Sequence, residues 1–232
     1  MFEKAGNIRI AGYAGTNSYD VHVGVSPVEH IGLLGAGSVS FNKKVDNEEN
    51  NKKPEREAEW THAHRYYEGA LGYYFSPFTI KNDLMKIEIF AGYGAGTANG
   101  SLNTGKTDIF GFIIPTTRVD ADYRQYYLQL NAAISEKMLN KDGTQSGGSV
   151  FEGGSVFRLS KTELSNFERF GQSLNVSPMT GSFAQFCVFG ILRGSGLGLT
   201  MQVGWLFPIG NDQNRPAYSP LYITAGLGID LW

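Results

Sequence analysis

Nine ionisable residues fall on the polar side of segments in which polar and apolar residues alternate: Arg9, Asp20, His22, Glu68, Lys86, Glu88, Glu152, Arg158 and Asp230. Acids, bases and a histidine gathered in one cleft could transfer protons or line a polar pore. The structural alternative is a network of ion pairs, because a charge enclosed in a narrow space is stable only when it is paired. The three basic residues can each meet a carboxylate from another segment, and we therefore expect a structural network that fills the interior.

Two histidines, His62 and His64, form an H-x-H pair that follows the acids Glu57 and Glu59. Histidine and carboxylate side chains can bind zinc, but a site needs three or four ligands in defined positions. We interpret the pair as the junction between a loop and a strand, and we expect no metal. The chain's one cysteine, Cys187, excludes an internal disulfide and a cysteine-rich metal site.

The composition argues against several other classes of function. Lysine and arginine number 20 against 22 aspartates and glutamates, and this near-neutral balance argues against nucleic acid as a partner. The chain has no G-x-S-x-G motif. Gly92, Gly94 and Gly96 lack the helix that a dinucleotide-binding fingerprint requires. We therefore expect neither a catalytic residue nor a cofactor. No apolar run approaches the roughly 18–20 residues of a membrane helix.

Strict alternation of apolar and polar residues recurs along the chain and predicts strands. In segment 84–96, every second residue from Met85 to Ala95 is apolar, and the residues between them are charged or glycine except Phe90. We expect ten such strands in one domain spanning residues 1–232: segments 7–15, 19–26, 31–41, 64–75, 84–96, 124–135, 149–161, 183–192, 197–207 and 221–231.

The connections between these segments alternate in length. Long polar connections at 42–61, 97–118 and 162–182 are separated by shorter ones, including a tight hairpin turn at 193–196. Outer-membrane barrels have this asymmetry, with short turns on the periplasmic side and longer loops outside. If both termini are periplasmic, the three long connections all lie outside.

Alternating strands fit two architectures that place the apolar face on opposite sides. A soluble barrel or sandwich turns this face inward, whereas a membrane barrel turns it toward lipid. Here the polar faces contain mostly small uncharged residues, which suit a narrow lumen. The apolar faces contain aromatic residues that would form a girdle at the lipid boundary: Tyr19, Tyr67, Tyr126 and Trp205. We predict an all-β fold, a closed antiparallel up-and-down transmembrane β-barrel of about ten strands. The alternative is a soluble β-barrel or sandwich.

Three glycine-bearing stretches, SPVEHIGL at 26–33, GALGYY at 69–74 and EIFAGYG at 88–94, carry a resemblance over most of the chain. The chain resembles small outer-membrane barrel proteins of Bacteroidota-type bacteria. The resemblance implies a lipoprotein-like or accessory outer-membrane component without an assigned activity. No cysteine lies near residue 1 to carry a lipid, and Trp232 shares by alternation the face of Asp230 rather than that of Leu231.

The filled interior and the long outer connections predict a non-enzymatic barrel. We expect a structural or interaction platform, or an accessory subunit of a larger outer-membrane complex, that acts through its extracellular loops. The expected partners are outer-membrane lipid and other outer-membrane proteins. The expected location is the bacterial outer membrane, with a signal sequence removed from the numbering or absent from it. The alternatives are a small pore or transport barrel, a lipid-modifying enzyme at the rim that uses His22 and His64, and a soluble lipid-binding barrel.

Overall fold

The computed structural model of the protein describes residue 2 and residues 4–16, 18–40, 43–45, 59–77, 79–80, 83–103, 117–139, 145–169, 172–175, 177–194, 196–210 and 221–231. All regular elements within these ranges are strands. They are β1 Ile8–Gly15, β2 Ser18–Val28, β3 Ile31–Ser40, β4 Lys43–Val45, β5 Glu59–Phe75, β6 Thr79–Ile80, β7 Asp83–Asn103, β8 Thr117–Leu139, β9 Gln145–Arg169, β10 Gln172–Ser173, β11 Met179–Gly194, β12 Leu197–Ile209 and β13 Leu221–Leu231. The described residues contain no helix long and apolar enough to cross a membrane.

Ten of these strands close into a ring in which every strand is antiparallel to both of its neighbours. The order around the ring is β1-β2-β3-β5-β7-β8-β9-β11-β12-β13, and β13 pairs with β1 to complete it. The short strands β4, β6 and β10 add pairings to β5, β7 and β9. The prediction of a closed antiparallel up-and-down barrel of about ten strands is confirmed.

The connections divide between two ends of the barrel. One end contains the start of β1, the end of β13 and the connections after β2, β5, β8 and β11. We call it the turn end. The opposite end, which contains the connections after β1, β3, β7, β9 and β12, is the loop end. At the turn end, Glu29 and His30 join β2 to β3. There His30 has a φ of 67°, a left-handed conformation that tight turns require.

Four strands continue at the loop end well past the predicted segments. The predicted connections were therefore wrong in extent, since β5 begins at Glu59, β7 runs to Asn103, β8 begins at Thr117 and β9 runs to Arg169. Strand pairing continues there from Glu59↔Asn103 to Asp120↔Glu168. The reason is that alternation marks a strand only where one of its faces meets an apolar phase. Beyond that phase both faces can be polar, so the pairing persists without a periodic signal.

The apolar faces point outward and the polar faces point into the lumen. Among the described residues, 34 large apolar side chains are exposed, whereas only ten apolar residues are buried. A soluble barrel would show the reverse. The interior is narrow enough that glycines make room for tyrosine rings, where an added Cβ would collide: Gly92 beside Tyr127, Gly94 beside Tyr66, Gly204 beside Tyr222 and Gly226 beside Tyr13. This distribution of residues is that of a transmembrane barrel.

Candidate functional site

The lumen contains the ionisable residues that the alternation placed on the polar faces. They come from every second position of β1, β2, β5, β7, β9 and β13, because successive side chains of a strand point to opposite sides. Lys86, Glu88 and Glu152 are almost completely buried, with exposed fractions of 1%, 3% and 0%. Charges buried this deeply need partners, and the contacts of these three residues show which partners they have.

Glu152 lies between two cations near the turn end. Lys86 donates from Nζ to Glu152 Oε2 over 3.2 Å, and Arg193 donates from Nη2 to Oε1 over 3.2 Å. The hydroxyl of Ser135 adds a third hydrogen bond, of 3.1 Å, to Oε2. Each carboxylate oxygen therefore has a charged partner, from β7 or β11, and β8 contributes a hydroxyl.

Arg193 continues the sequence of pairs to Asp230 and Arg9. Its Nε lies 3.2 Å from Asp230 Oδ2, and Arg9 Nε donates to the other oxygen, Oδ1. Charges of opposite sign thus alternate in one series, Lys86–Glu152–Arg193–Asp230–Arg9. We call this series the turn-end ion chain. It joins five strands across one half of the lumen: β7, β9, β11, β13 and β1.

A second ion pair crosses the middle of the lumen. Arg158 donates from Nη1 to Glu68 Oε2 and from Nη2 to Glu68 Oε1, each over 3.0 Å. Its Nε donates to Gln129 Oε1 over 2.8 Å, and its guanidinium lies 4.0 Å from the centre of the Tyr127 ring. Two parallel charge-assisted hydrogen bonds and a cation–π contact fix this arginine strongly. Tyr66 also donates from its hydroxyl to Glu68, over 2.9 Å.

Side-chain amides connect this central pair to Glu88. Gln129 donates from Nε2 to Asn131 Oδ1, and Asn131 donates from Nδ2 to Glu88 Oε2, both over 2.9 Å. The other oxygen of Glu88 accepts the backbone N–H of Phe2 over 2.7 Å. Polar contacts therefore continue without a break from Glu68 to the N-terminal segment.

Two of the predicted luminal residues have polar or ring contacts of another kind. Asp20 accepts a hydrogen bond of 2.9 Å from Ser18 near the loop end. The ring of His22 lies 4.8 Å from the ring of Tyr13, and it faces a cavity. His64, on the same side of the wall, approaches Ser38 Oγ to 3.4 Å through Nε2. No carboxylate is hydrogen-bonded to His22 or His64 within the described ranges, so an Asp–His arrangement of the catalytic type is not formed there.

The cavity lies between the central pair and the turn-end ion chain. Its volume is about 180 Å³, and its polar lining includes Arg9, His22, Glu88, Arg158 and Gln202. Arg158 and Glu88 in this lining are members of the hydrogen-bonded network. This arrangement can hold charges in place and block a channel.

Glu57, Glu59 and His62, weighed as metal ligands in the sequence analysis, lie outside the residues whose side chains are described. In the part of the chain that is described, no three histidine, cysteine or acidic side chains are grouped so that they could hold a metal ion. Cys187 is buried in the wall. Its thiol approaches the side-chain oxygen of Gln202 at 3.9 Å.

Sequence reasoning missed several members of the network. Arg193 was assigned to the hairpin turn at 193–196, but it belongs to β11 and is only 8% exposed. Continuing the alternation through Gln185, Cys187, Phe189 and Ile191 would have placed Arg193 on the inward face. No periodic signal could identify Phe2, because residue 2 precedes the first strand.

The proposed girdle residues all point outward. Tyr19, Tyr67 and Tyr126 are 58%, 67% and 57% exposed, and Trp205 is 37% exposed. Tyr67 and Tyr126 lie well inside β5 and β8 rather than at strand ends as expected, because both strands extend beyond the apolar band. Neighbouring rings enlarge the aromatic surface toward the loop end: Tyr93 beside Tyr126 at 5.0 Å and Phe186 beside Trp205 at 6.3 Å.

A second group of outward aromatic residues lies toward the turn end. Tyr73 and Phe75 have ring centres 5.9 Å apart, and His30 stacks on Tyr73 at 5.4 Å. Aromatic residues therefore border the apolar band on both sides, as in membrane barrels.

Comparisons with known proteins identify no family. No family model matches the chain, and no curated protein matches it. Among solved structures, the outer-membrane protein OmpT of Vibrio cholerae (in-vitro folded, trimer form) aligns over 97% of this chain and 98% of its own, at 7% identity and a TM-score of 0.25. A TM-score this low supports no argument about fold or function. By its own geometry the chain is a ten-stranded β-barrel of the outer-membrane type.

Proposed function

We propose that this chain is a non-enzymatic barrel of the bacterial outer membrane. Because its lumen is filled, it acts through its exposed surfaces. It serves as a structural or interaction platform, or as an accessory subunit of a larger outer-membrane complex. The observation that carries the proposal is the two-bond pair of Glu68 and Arg158 across the lumen. The three glycine-bearing stretches of the sequence are the support for a Bacteroidota-type source and a lipoprotein-like relative.

The luminal network supports a plugged barrel over an open pore. An ion that crosses the lumen meets the central pair and, in one half of the turn end, the turn-end ion chain, in which Glu152 is completely buried. Separating a buried ion pair leaves an uncompensated charge and costs about 3–5 kcal/mol. Passage through the barrel therefore requires a rearrangement that the network opposes.

The raised wall at the loop end supports the role of a platform. We use this name for the parts of β5, β7, β8 and β9 that extend beyond the predicted segments, 59–63, 97–103, 117–123 and 162–169. Polar and charged residues stand near its base and along it, among them Arg124, Glu163 and Glu168. A polar wall of paired strands presents a fixed surface to another protein, whereas the apolar band below it is occupied by lipid.

Isolation from native membranes in a gentle detergent tests this role. We expect the protein to be recovered in a larger assembly, and Arg124→Glu at the base of the raised wall to weaken that assembly without altering heat-modifiable migration on a gel. Glu136→Lys is the matched control, since Glu136 is exposed on the same strand and face near the turn end. Recovery of the wild-type chain without any partner would count against the platform.

A small pore is the second candidate function, and the luminal cavity of about 180 Å³ is the observation that favours it. Recording from the wild-type protein in a planar bilayer separates the two. A filled lumen predicts no steady conductance. Steady conductance would replace the platform with the pore.

A further inference from the structure

The turn end of the lumen is closed in two halves by different means. The turn-end ion chain closes the half bordered by β1, β13, β11 and β9. The other half is closed by a cluster of three aromatic rings, from Phe2, Tyr74 and Phe90, with Leu34 and Ala70 packed against them. The cluster accounts for Phe90, the one apolar residue among the charged residues and glycines that alternate with Met85 to Ala95.

Phe2 differs from the other members of this cluster because it does not belong to the wall. It precedes β1, yet it is only 7% exposed. Its ring centre lies 5.6 Å from that of Tyr74 and 6.5 Å from that of Phe90. It is therefore a side chain inserted into the barrel rather than one that lines it.

The wall is shaped to receive this ring. A Cβ added at Gly32 would lie 2.7 Å from Phe2 Cε2, and one added at Gly24 would lie 3.0 Å from Phe2 Cζ. Gly72 makes the same kind of room for the ring of Phe90. Glycine at these inward positions leaves a socket of the size of a phenyl ring, which any larger residue would fill.

Hydrogen bonds hold the segment that carries Phe2. The Phe2 N–H donates to Glu88 over 2.7 Å, and the Gly6 N–H donates to the Ser26 carbonyl over 2.7 Å. Ser26, which is fully buried, also shares a hydrogen bond of 2.8 Å with the Tyr74 hydroxyl. His30 lies within 3.0 Å of the Tyr74 carbonyl through Nδ1.

These contacts give a common role to the three glycine-bearing stretches of the sequence. The stretch at 26–33 contributes Gly32, the stretch at 69–74 contributes Gly72 and Tyr74, and the stretch at 88–94 contributes Glu88 and Phe90. Residues far apart in the chain thus converge on one inserted ring.

The position of Phe2 gives this socket a consequence for transport. Phe2 lines the polar cavity on its turn-end side, where the other walls include Arg9, Glu88 and Arg158. An apolar constriction next to a polar cavity excludes ions, because they cannot keep their hydration there. We propose that Phe2 is the stopper of the half that the turn-end ion chain leaves open. When this ring is out of its socket, the barrel conducts small ions through the cavity, which runs beside the central pair.

Conductance of the full chain in a planar bilayer tests the proposal. We expect Phe2→Ala to raise the frequency of conducting events at least tenfold over the wild-type protein, and Phe2→Leu, which keeps an apolar side chain, to remain closed. Added benzene should suppress the current through Phe2→Ala, because it can occupy the apolar space that the missing ring leaves beside Tyr74 and Phe90. Phe157→Ala is the matched control, since this ring points to lipid and is 42% exposed.

A second variant displaces the Phe2 ring from its socket and keeps the phenylalanine side chain intact. Gly32→Ala places a methyl group against the Phe2 ring, and we expect it to conduct as well. If Phe2→Ala does not fold into a heat-modifiable barrel, the conductance of Gly32→Ala tests the stopper in its place. A closed barrel in both variants, or equal leakage from Phe157→Ala, would overturn the stopper. Either result leaves the platform untouched, whereas conductance of the wild-type protein would overturn the filled lumen itself.

Discussion

Glu68 and Arg158 meet across the lumen through two hydrogen bonds of 3.0 Å, although β7 and β8 lie between their strands around the wall. The pair therefore connects parts of the ring that share no backbone hydrogen bonds. It spans the lumen and narrows it beside the cavity that both residues line. The stability of the barrel and the closure of its lumen should accordingly depend on the same residues.

Replacing Glu68 by alanine should destabilise the barrel by at most about 3–5 kcal/mol, because the partly buried guanidinium of Arg158 loses its counter-charge. Urea unfolding in lipid vesicles, followed by the fraction of heat-modifiable protein, measures the change. The double variant Glu68→Ala/Arg158→Ala should lose less than the sum of the single variants, because neither charge is then left alone. Additive losses would show that the pair is not coupled. Glu168→Ala, at an exposed position of β9, should change the stability by less than about 0.5 kcal/mol.

Glu152→Gln tests the turn-end ion chain. The substitution keeps the size of the side chain but removes the charge between Lys86 and Arg193. We expect a loss of about 3 kcal/mol or more in the same unfolding measurement, since two buried cations then face each other. The matched substitution Glu136→Gln alters an exposed carboxylate and should have almost no effect. Equal behaviour of the two variants would contradict the burial of Glu152.

Two glycine-to-alanine substitutions should differ in their effect on stability, because only one of the added Cβ atoms would meet neighbouring backbone. A Cβ at Gly96 would collide with the carbonyl oxygen of Arg65, and a backbone atom of a paired strand cannot move aside. Gly96→Ala should therefore cost about 1–3 kcal/mol. Gly12 points outward with nothing within 4 Å of the added atom, so Gly12→Ala should be neutral or stabilise by up to about 1 kcal/mol. Thermal or urea unfolding of both variants in the same lipid checks whether Gly96→Ala is the less stable of the two.

The orientation of the strands predicts how the outer face responds to charge. Leu128 is 60% exposed within the apolar band of β8, and Leu128→Arg should cost about 2–4 kcal/mol in a bilayer. Glu136→Arg, on the same face of the same strand but nearer the turn end, should cost no more than about 1 kcal/mol. If both arginines were tolerated equally in vesicles, this face of β8 would not be in contact with lipid.

Alternation was sufficient to predict ten strands and the side on which residues 84–96 of β7 lie, and the lengths of the connections and the composition of the polar faces indicated the membrane barrel. Alternation identifies strands here because lipid on one face and the lumen on the other require opposite polarity of successive residues. It failed where that contrast ends. The extension of β8 from Thr117 and of β9 to Arg169 carries polar residues on both faces, so the sequence resembles a loop.

The partners within the lumen could not be predicted from the sequence. Alternation placed Glu68 and Arg158 inside, but their pairing depends on the curvature of the wall and on the room that Gly92 leaves for Tyr127. The inward position of Phe90 likewise makes sense only with Phe2, which is distant in the chain. Such contacts are properties of the closed ring rather than of any one strand.

Fractionation of the native cell envelope, combined with electrophoresis of boiled and unboiled samples, tests most directly whether this chain is a closed barrel of the outer membrane. The outward apolar band and the continuous ring of hydrogen-bonded strands predict recovery in the outer-membrane fraction and a band whose mobility changes on boiling. A protein that stays monodisperse in buffer without detergent, and whose mobility does not change on boiling, would contradict the account.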